Sequence, residues 1–162
     1  SPKDFYYIDI FNTFAGLVKK YDIEQSNLKI EITETTIMSD VPNLMGELEE
    51  LRKAGFTIEM DDFGSGYSSL NTLKDINVDV LKVDMGFIKE TKNVKKSRII
   101  LASVIKMAKE LNLLIITEGV ETEEQVDNLT KLGCDVFQGY YFSKAIDVNE
   151  FEKRYLYREK AG

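Results

Sequence analysis

Seven acidic residues and one lysine recur along the chain at positions where they could act together. The acids are Glu31, Glu34, Asp61, Asp62, Asp84, Glu118 and Glu121, and the lysine is Lys82. Two carboxylates about 4 Å apart repel by about 4 kcal/mol at an effective dielectric near 20. If these acids share one site, some must therefore protonate or bind cations. Carboxylate oxygens suit hard cations, so the sequence indicates Mg²⁺ or Mn²⁺, with Ca²⁺ as a geometric competitor.

Composition excludes several other kinds of chemistry. The 162 residues contain no His and one Cys, Cys134. This excludes His-dependent acid–base catalysis, Ser-His-Asp and Cys-His triads, zinc sites built from His or Cys clusters, and an internal disulfide. With 21 Lys+Arg against 28 Asp+Glu, the net charge of −7 argues against DNA as a partner.

The sequence carries no sign of a membrane span. Its longest apolar run covers residues 113–116, far less than a bilayer requires. Together with the lone cysteine, this predicts a cytoplasmic location and no membrane contact by this segment. The segment could equally be the cytoplasmic part of a membrane-anchored protein.

The acids belong to a repeating alternation of short β-rich and amphipathic segments. The predicted strands are 28–34, 56–62, 78–84, 113–119 and 135–141. The predicted helices are 1–21 with Ser1 as its cap, 41–54, 68–75, 96–111, 122–132 and one beginning at Asp147. In the helix 96–111, the spacing predicts that Ile99, Ile100, Val104 and Met107 face inward. Strict alternation predicts a parallel sheet with right-handed crossovers.

Every predicted strand carries charged or amide groups near its C-terminal end, and Gln138 stands at the fifth. In an open sheet the ligand groups come mainly from the strands at one switch point, whereas in a β/α barrel all strand ends meet at one mouth. The pattern favours a TIM-like (β/α) barrel, in the α/β class. Because such barrels have eight strands and about 250 residues, we expect residues 1–162 to form one incomplete domain. Its N-terminal strands would be missing, and the cut edge would cause self-association or poor stability.

One segment resembles a known signature. Residues 61–70, Asp-Asp-Phe-Gly-Ser-Gly-Tyr-Ser-Ser-Leu, are similar to the signature loop of the EAL-domain family, the cyclic di-GMP phosphodiesterases. Supporting motifs follow in the family's order: Glu-Ile-Thr-Glu at 31–34, Lys-Val-Asp at 82–84, Glu-Gly-Val-Glu-Thr at 118–122 and Gln-Gly-Tyr at 138–140. The resemblance runs from Ser1 to about Ile146. It implies a hydrolase of bacterial signal transduction that opens cyclic di-GMP to linear pGpG.

The resemblance also implies a role for each acid. The metal ligands would be Glu31, Asp61, Asp62 and Glu118, with Asp61 bridging two Mg²⁺ or Mn²⁺ ions and Ca²⁺ inhibiting. The catalytic residues would be Lys82, which orients the attacking water, and Glu118, as general base. Gln138, Glu121 and Asp84 would bind substrate or support the site, and Glu34 would anchor the loop 63–69. A homodimer and upstream sensory or GGDEF-type domains are the implied partners.

The chain departs from the family pattern at its start. It lacks the Glu-Ala-Leu motif, whose Glu is a metal ligand. Ser1-Pro2 matches the tail of an Asn-x-Ser motif, whose Asn is another ligand. Two first-metal ligands are therefore missing from this sequence, and the activity of the truncated chain stays open.

Three hypotheses about function follow. The first is a fragment of an active phosphodiesterase, and the second is a non-catalytic EAL-like module that binds cyclic di-GMP or a protein partner. The third is another metal-dependent barrel, such as an enolase-like enzyme that uses Lys82 as a carbon-acid base. The match at 61–70 disfavours the third, and the retained acids favour the first. Glu59 and Asp79 are interpreted as structural polar groups.

Overall fold

The computed structural model describes residues 2–39, 43–64, 69–86 and 94–156, in which helices and strands alternate. The elements are α1 Asp4–Tyr7, α2 Ile10–Tyr21, β1 Lys29–Thr33, α3 Glu34–Ile37, α4 Leu44–Lys53, β2 Thr57–Asp61, α5 Ser69–Asp75, β3 Val80–Asp84, α6 Val94–Glu110, β4 Leu114–Glu118, α7 Glu123–Leu132, β5 Val136–Phe137 and α8 Val148–Phe151. A 3₁₀ turn, Gln25–Asn27, precedes β1, and a π turn, Glu152–Leu156, follows α8. None of the helices within these ranges combines the length and apolar character needed to cross a bilayer.

The five strands form one parallel sheet in the order β1-β2-β3-β4-β5. Each described strand lies beside the strand described before it, so the order does not reverse within this part of the chain. A doubly wound sheet contains such a reversal at its switch point, whereas the wall of a β/α barrel grows in one direction. The predicted α/β barrel fold is confirmed, with five strands present as part of the wall.

The core lies between the sheet and the helices. Alternate strand residues are buried there, including Ile30, Ile32, Ile58, Met60 and Leu81. Because successive side chains in a strand point to opposite faces, the intervening positions point away from this core. Those positions are Lys29 and Glu31 in β1, Glu59 and Asp61 in β2, and Lys82 in β3. One face of the sheet is therefore apolar, and the other, the charged face, carries these ionic groups together with the apolar Val80 and Ile116.

The N-terminal helix differs from the prediction. We expected one helix over 1–21, but the described part consists of α1 and α2, separated at Ile8 and Asp9. Asp9 has extended backbone and its Oδ1 accepts the Asn12 N–H at 2.9 Å. An Asp in this geometry caps a new helix, so the apolar periodicity continues across a break in the backbone. Ser1, the predicted cap, lies outside the described residues.

The buried face of α6 was also predicted wrongly in part. Ile99 and Ile100 are 58% and 47% exposed. Val104 and Met107 are partly buried against the core, as expected. The fully buried stripe is Ser97, Leu101, Ile105 and Ala108. This stripe includes Ser97 and Ala108, which are less apolar or smaller than isoleucine. Hydrophobic spacing therefore favoured the neighbouring stripe that contains Ile99 and Ile100.

Candidate active site

Lys82 is the point on which carboxylates from three other strands converge. Its Nζ lies 2.7 Å from Glu31 Oε1 and 2.9 Å from Glu118 Oε1. A third carboxylate oxygen, Asp61 Oδ1, lies 3.3 Å away. The four residues come from β3, β1, β4 and β2, and they are all members of the predicted site. The strand ends therefore meet as the barrel interpretation expected.

The local sequence explains why Lys82 points into this cluster. Its neighbours in β3, Leu81 and Val83, are buried in the core. Alternation then directs the Lys82 side chain to the charged face, where it is 4% exposed. The strand register sets how far along the sheet the other groups lie. Asp84 stands opposite Glu118, and Thr33 stands opposite Asp61.

The electrostatics of the cluster keep Lys82 charged. Burial by itself lowers the pKa of Lys82, but hydrogen bonds to Glu31 and Glu118 and the charge of Asp61 outweigh it, so the pKa lies above its ordinary value. Burial raises the pKa of Glu118, although the contact with Lys82 opposes this rise. When all three carboxylates are ionised against one ammonium, the cluster carries a surplus of 3 − 1 = 2 negative charges.

Asp62 follows the cluster in an unusual backbone conformation. Its φ is +56°, in the left-handed region, which Asp and Asn adopt more readily than other residues with a side chain. The Asp62 N–H donates to Asp61 Oδ1 at 2.9 Å. Partial desolvation raises the pKa of Asp62, and the adjacent charge of Asp61 adds to this. The two consecutive acids therefore stand at a bend where the strand ends, next to Lys82.

The donor set fits a divalent cation. Its groups are carboxylate oxygens, which hard cations prefer, and its surplus of two charges matches one such ion. In residues 2–39, 43–64, 69–86 and 94–156 as arranged here, no three acidic side chains hold one ion position together. The Lys82 ammonium occupies the point between them. Binding an ion would therefore require the carboxylates to share their charge between the ion and Lys82.

Glu34 lies immediately beyond β1. The Thr33 side chain caps α3 by accepting the Thr36 N–H, and this turn places Glu34 in a fully buried position. Glu34 Oε2 accepts the Gly64 N–H at 3.3 Å. Gly64 has φ +97°, a conformation that favours glycine. Of the predicted loop 63–69, residues 65–68 lie outside the described part of the chain.

The remaining predicted site residues stand around the same edge and are exposed. Asp84 Oδ1 accepts the Gly86 N–H at 2.5 Å. The Glu121 N–H donates to Gln125 Oε1 at 2.7 Å, next to the capping box that begins α7. Gln138 follows β5, and its carbonyl accepts the Val120 N–H at 3.1 Å. These three residues lie at the ends of β3, β4 and β5, in that order.

Sequence reasoning missed one ion pair on the charged face. Lys29 Nζ lies 3.1 Å from Glu59 Oε1, and the Glu59 side chain is 3% exposed. We interpreted Glu59 as a structural polar group and gave Lys29 no role. The available signal was spacing, because Lys29 and Glu59 each precede a site residue, Glu31 and Asp61, by two positions.

The fold and the cluster together define a class. It is the class of parallel β/α barrel proteins whose strand ends gather acidic groups suited to a divalent cation. The family model described as "EAL domain" matches residues 1–145. The chain therefore belongs to the EAL domain family.

Curated relatives carry related names. Over 150 residues the chain is 35% identical to the "Bifunctional diguanylate cyclase/cyclic di-GMP phosphodiesterase MucR" of Pseudomonas aeruginosa, covering 93% of this chain and 22% of that protein. It is 34% identical over 137 residues to "Cyclic di-GMP phosphodiesterase RocR" of the same organism, covering 85% of this chain and 35% of that protein. The chain thus spans about a fifth to a third of the length of these relatives.

Solved structures share the fold. The MucR phosphodiesterase of P. aeruginosa in complex with cyclic di-GMP aligns with a TM-score of 0.83 at 35% identity, covering 93% of this chain and 61% of that chain. BlrP1 of Klebsiella pneumoniae in its manganese and cyclic di-GMP complex aligns with a TM-score of 0.79 at 30% identity, covering 88% and 37%. BlrP1 has also been solved with calcium and cyclic di-GMP. Divalent metals therefore accompany this ligand in a structural neighbour.

Proposed function

We propose that this EAL domain hydrolyses cyclic di-GMP to linear pGpG with the help of divalent metal ions. The observation that carries the proposal is the convergence of Glu31, Asp61 and Glu118 on Lys82. The names of MucR and RocR, and the cyclic di-GMP complexes of MucR and BlrP1, support the choice of substrate.

The proposed metal ligands are Glu31, Asp61, Asp62 and Glu118, which would hold two Mg²⁺ or Mn²⁺ ions, with Asp61 between them. Ca²⁺ would bind the same oxygens and inhibit. When bound, such ions activate water and offset the charge that develops on the phosphodiester. The surplus negative charge of the cluster supports the binding of a divalent ion, and the manganese complex of BlrP1 supports the choice of metal.

The proposed catalytic residues are Lys82 and Glu118. The Lys82 ammonium is buried and hydrogen-bonded, so it is fixed well enough to orient an attacking water. Glu118 would accept the proton that this water loses, and its Oε1 lies 2.9 Å from Lys82 Nζ, beside the group that would orient the water. The water oxygen would bond to phosphorus as the phosphorus–O3′ bond breaks, and the departing O3′ would take up the proton that Glu118 had accepted. The product is linear pGpG.

The remaining assignments concern the rim of the site and its surroundings. We propose that Gln138, Glu121 and Asp84 contact the substrate or support residues that contact it. We also propose that Glu34 anchors the loop 63–69 through Gly64. We further propose a homodimer in the cytoplasm, with sensory or GGDEF-type domains elsewhere in the full-length protein. The bifunctional name of MucR supports a cyclase domain in at least one relative.

Product analysis tests the proposal directly. The chain is incubated with cyclic di-GMP and Mn²⁺, with EDTA added to a parallel sample, and the products are separated by chromatography. We expect pGpG that EDTA abolishes and Ca²⁺ suppresses. Lys82→Met should lower the rate at least about a hundredfold, as loss of a catalytic group does. Lys106→Met is the matched control, because Lys106 is exposed and its ion-pair partner within the described residues is Glu110 on the same helix.

The same experiment separates the competing hypotheses. Binding of cyclic di-GMP without any product, in the chain and in a version extended upstream, would contradict the enzymatic proposal and favour a binding module. Product that forms equally well in EDTA would contradict the metal assignment.

A further inference from the structure

The charged face of the sheet holds two tiers of ionic groups. The upper cluster, defined above, is Lys82 with Glu31, Asp61 and Glu118. The lower pair is Lys29 and Glu59, whose charged atoms are 3.1 Å apart. Register connects the tiers, because Glu31 stands directly opposite Glu59 across β1 and β2. The carboxylates of Glu31 and Glu59 are thus cross-strand neighbours, although one belongs to the upper cluster and the other to the lower pair.

Glu59 is the most deeply buried acid of this face, and Lys29 is the cation that pairs with it. Its side chain is 3% exposed, compared with 53% for Glu31. Within the described residues, Glu59 Oε1 makes no hydrogen bond of good geometry. Lys29 Nζ is its ion-pair partner, although half of the Lys29 side chain is exposed. An ionised carboxylate left buried without a cation is strongly unfavourable.

The described strands of this sheet carry two lysines, Lys29 in β1 and Lys82 in β3. Glu59 stands opposite Val80 in the register, and Lys82 lies two residues further along β3. A two-residue step along a strand and one step between strands place the two Cα atoms about 8 Å apart. A lysine and a glutamate side chain together can bridge that distance. Without Lys29, Glu59 would therefore compete with the upper cluster for the Lys82 ammonium.

We propose that Lys29 is a positioning residue, which neutralises Glu59 and so keeps the Lys82 ammonium in the upper cluster. The catalytic meaning of this inference rests on the proposed function. Loss of Lys29 would draw Lys82 towards Glu59, misdirect the group that orients the water, and leave the carboxylates of Glu31, Asp61 and Glu118 without their cation.

Four variants test the proposal: Lys29→Met, Glu59→Gln, the double variant and Lys29→Arg. In a crystal structure of Lys29→Met, we expect Lys82 Nζ within hydrogen-bonding distance of Glu59. Mn²⁺ alone, without substrate, should bind this variant about tenfold more tightly, because one positive charge has left the cluster. Turnover of cyclic di-GMP should fall at least about tenfold in kcat with little change in KM, as misplacement of a catalytic group predicts.

The other variants separate positioning from stability. Glu59→Gln removes the competing charge, so it should keep turnover and Mn²⁺ affinity within about twofold of wild type, and the double variant should recover to the same range. Lys29→Arg should also restore both, since it preserves the charge. A merely structural pair would weaken Mn²⁺ binding together with folding, and would not tighten it.

Several results would overturn the proposal. One is Lys82 Nζ remaining beside Glu31 and Glu118 in the Lys29→Met structure, and another is a double variant as impaired as Lys29→Met. Should Lys29→Met fail to fold, Lys29→Gln repeats the test. If neither folds while the double variant does, the pair acts on stability alone and the proposal is wrong. Absence of pGpG from the wild-type chain would contradict the proposed function only, because the position of Lys82 is read from the structure.

Discussion

At the scale of single residues, Lys82 determines the character of the site. One buried ammonium faces three carboxylates, and burial and hydrogen bonding act on its pKa in opposite directions. The partners differ as well, since Glu118 is largely buried whereas Glu31 is half exposed. Removing one partner from such a cluster lowers the free energy of unfolding by more than the intact cluster contributes, because the charged groups that remain stay desolvated.

Lys82→Met should therefore destabilise the fold in a pH-dependent way. At pH 7 we expect a loss of about 2–3 kcal/mol in the free energy of unfolding, less than for a fully buried pair because Glu31 is half exposed. The pKa of Lys82 lies above its ordinary value, so its contribution is complete at neutral pH and is lost only as the pH rises beyond that value. Urea denaturation of variant and wild type at pH 5 and pH 7 measures the difference.

The difference in the free energy of unfolding between wild type and Lys82→Met should become smaller as the pH falls. The pKa of Glu118 is already raised by burial, and removing Lys82 raises it further, so protonation at pH 5 relieves the repulsion among the acids. Lys106→Met should change stability by less than about 0.5 kcal/mol at either pH, as expected for an exposed pair. A deficit that grows towards pH 5 would contradict this account.

The sequence predicted the members of the cluster but not its lower pair. Glu31, Asp61, Lys82 and Glu118 could be found because acids and a lysine at successive strand ends must meet in a barrel. Lys29 and Glu59 were missed. Their spacing from Glu31 and Asp61 places them on the same face, but the contact between them depends on the β1–β2 register. A shift of that register by one residue would direct one of them into the core.

At the scale of elements, the connection after β5 shows how close backbone contacts shape the rim. The Tyr141 N–H donates to the Val120 carbonyl at 3.0 Å, and the Val120 N–H donates to Gln138. Between these bonds, Gly139 lies directly against the Val120 peptide. A Cβ at position 139 would stand 2.1 Å from the Val120 oxygen and 2.4 Å from its nitrogen. The chain therefore needs a residue without a side chain here.

Gly139→Ala should consequently destabilise the domain by about 2–3 kcal/mol, the scale expected when a crowded site must shift. The displaced segment includes Val120, two residues beyond Glu118, so cyclic di-GMP turnover should fall as well. Urea denaturation and the product assay measure the two effects. Gly16→Ala is the matched control, because outside the neighbouring backbone of α2 no described atom lies within 4 Å of its added Cβ. It should stabilise by about 0.5–1 kcal/mol, and equal effects at the two glycines would contradict the packing argument.

Prediction of the elements succeeded where local signals agree and failed where they conflict. The helix over 122–132 was predicted correctly because Thr122 and Gln125 form a capping box and Gly133 ends it with φ +94°. The break before α2 was missed because Asp9 interrupts the backbone without interrupting the apolar spacing. In α6 the buried face is decided by contact with the sheet, and no local pattern reports that contact.

At the scale of the whole molecule, the proposed metal binding at the acidic strand ends would couple to the stability of the fold. An ion that binds only the folded chain stabilises it by about 2.7 kcal/mol at a hundredfold excess over its dissociation constant. For a domain of this size, each kcal/mol raises the melting temperature by about 2–4 °C. Mn²⁺ should therefore raise the melting temperature by roughly 5–11 °C, and EDTA should reverse the rise.

Thermal unfolding with and without Mn²⁺ measures this shift, and Asp61→Asn serves as the comparison. Asp61 is the proposed bridging ligand, so its variant should show less than half of the shift. The measurement needs no substrate, and it stands apart from the product assay. An unchanged melting temperature at millimolar Mn²⁺ would contradict a metal site in this chain.

The sequential strand order has a consequence for how the chain is made. Paired residues are close in sequence: Lys29 pairs with Thr57, Glu59 with Val80, Val80 with Leu114 and Ile116 with Val136. The separations are therefore 28, 21, 34 and 20 residues. No described strand has to wait for a distant partner, so each can dock on the one synthesised just before it. Assembly of this wall can thus keep pace with the ribosome, from the amino to the carboxyl end, and the charged face would close around Lys82 only when β4 arrives.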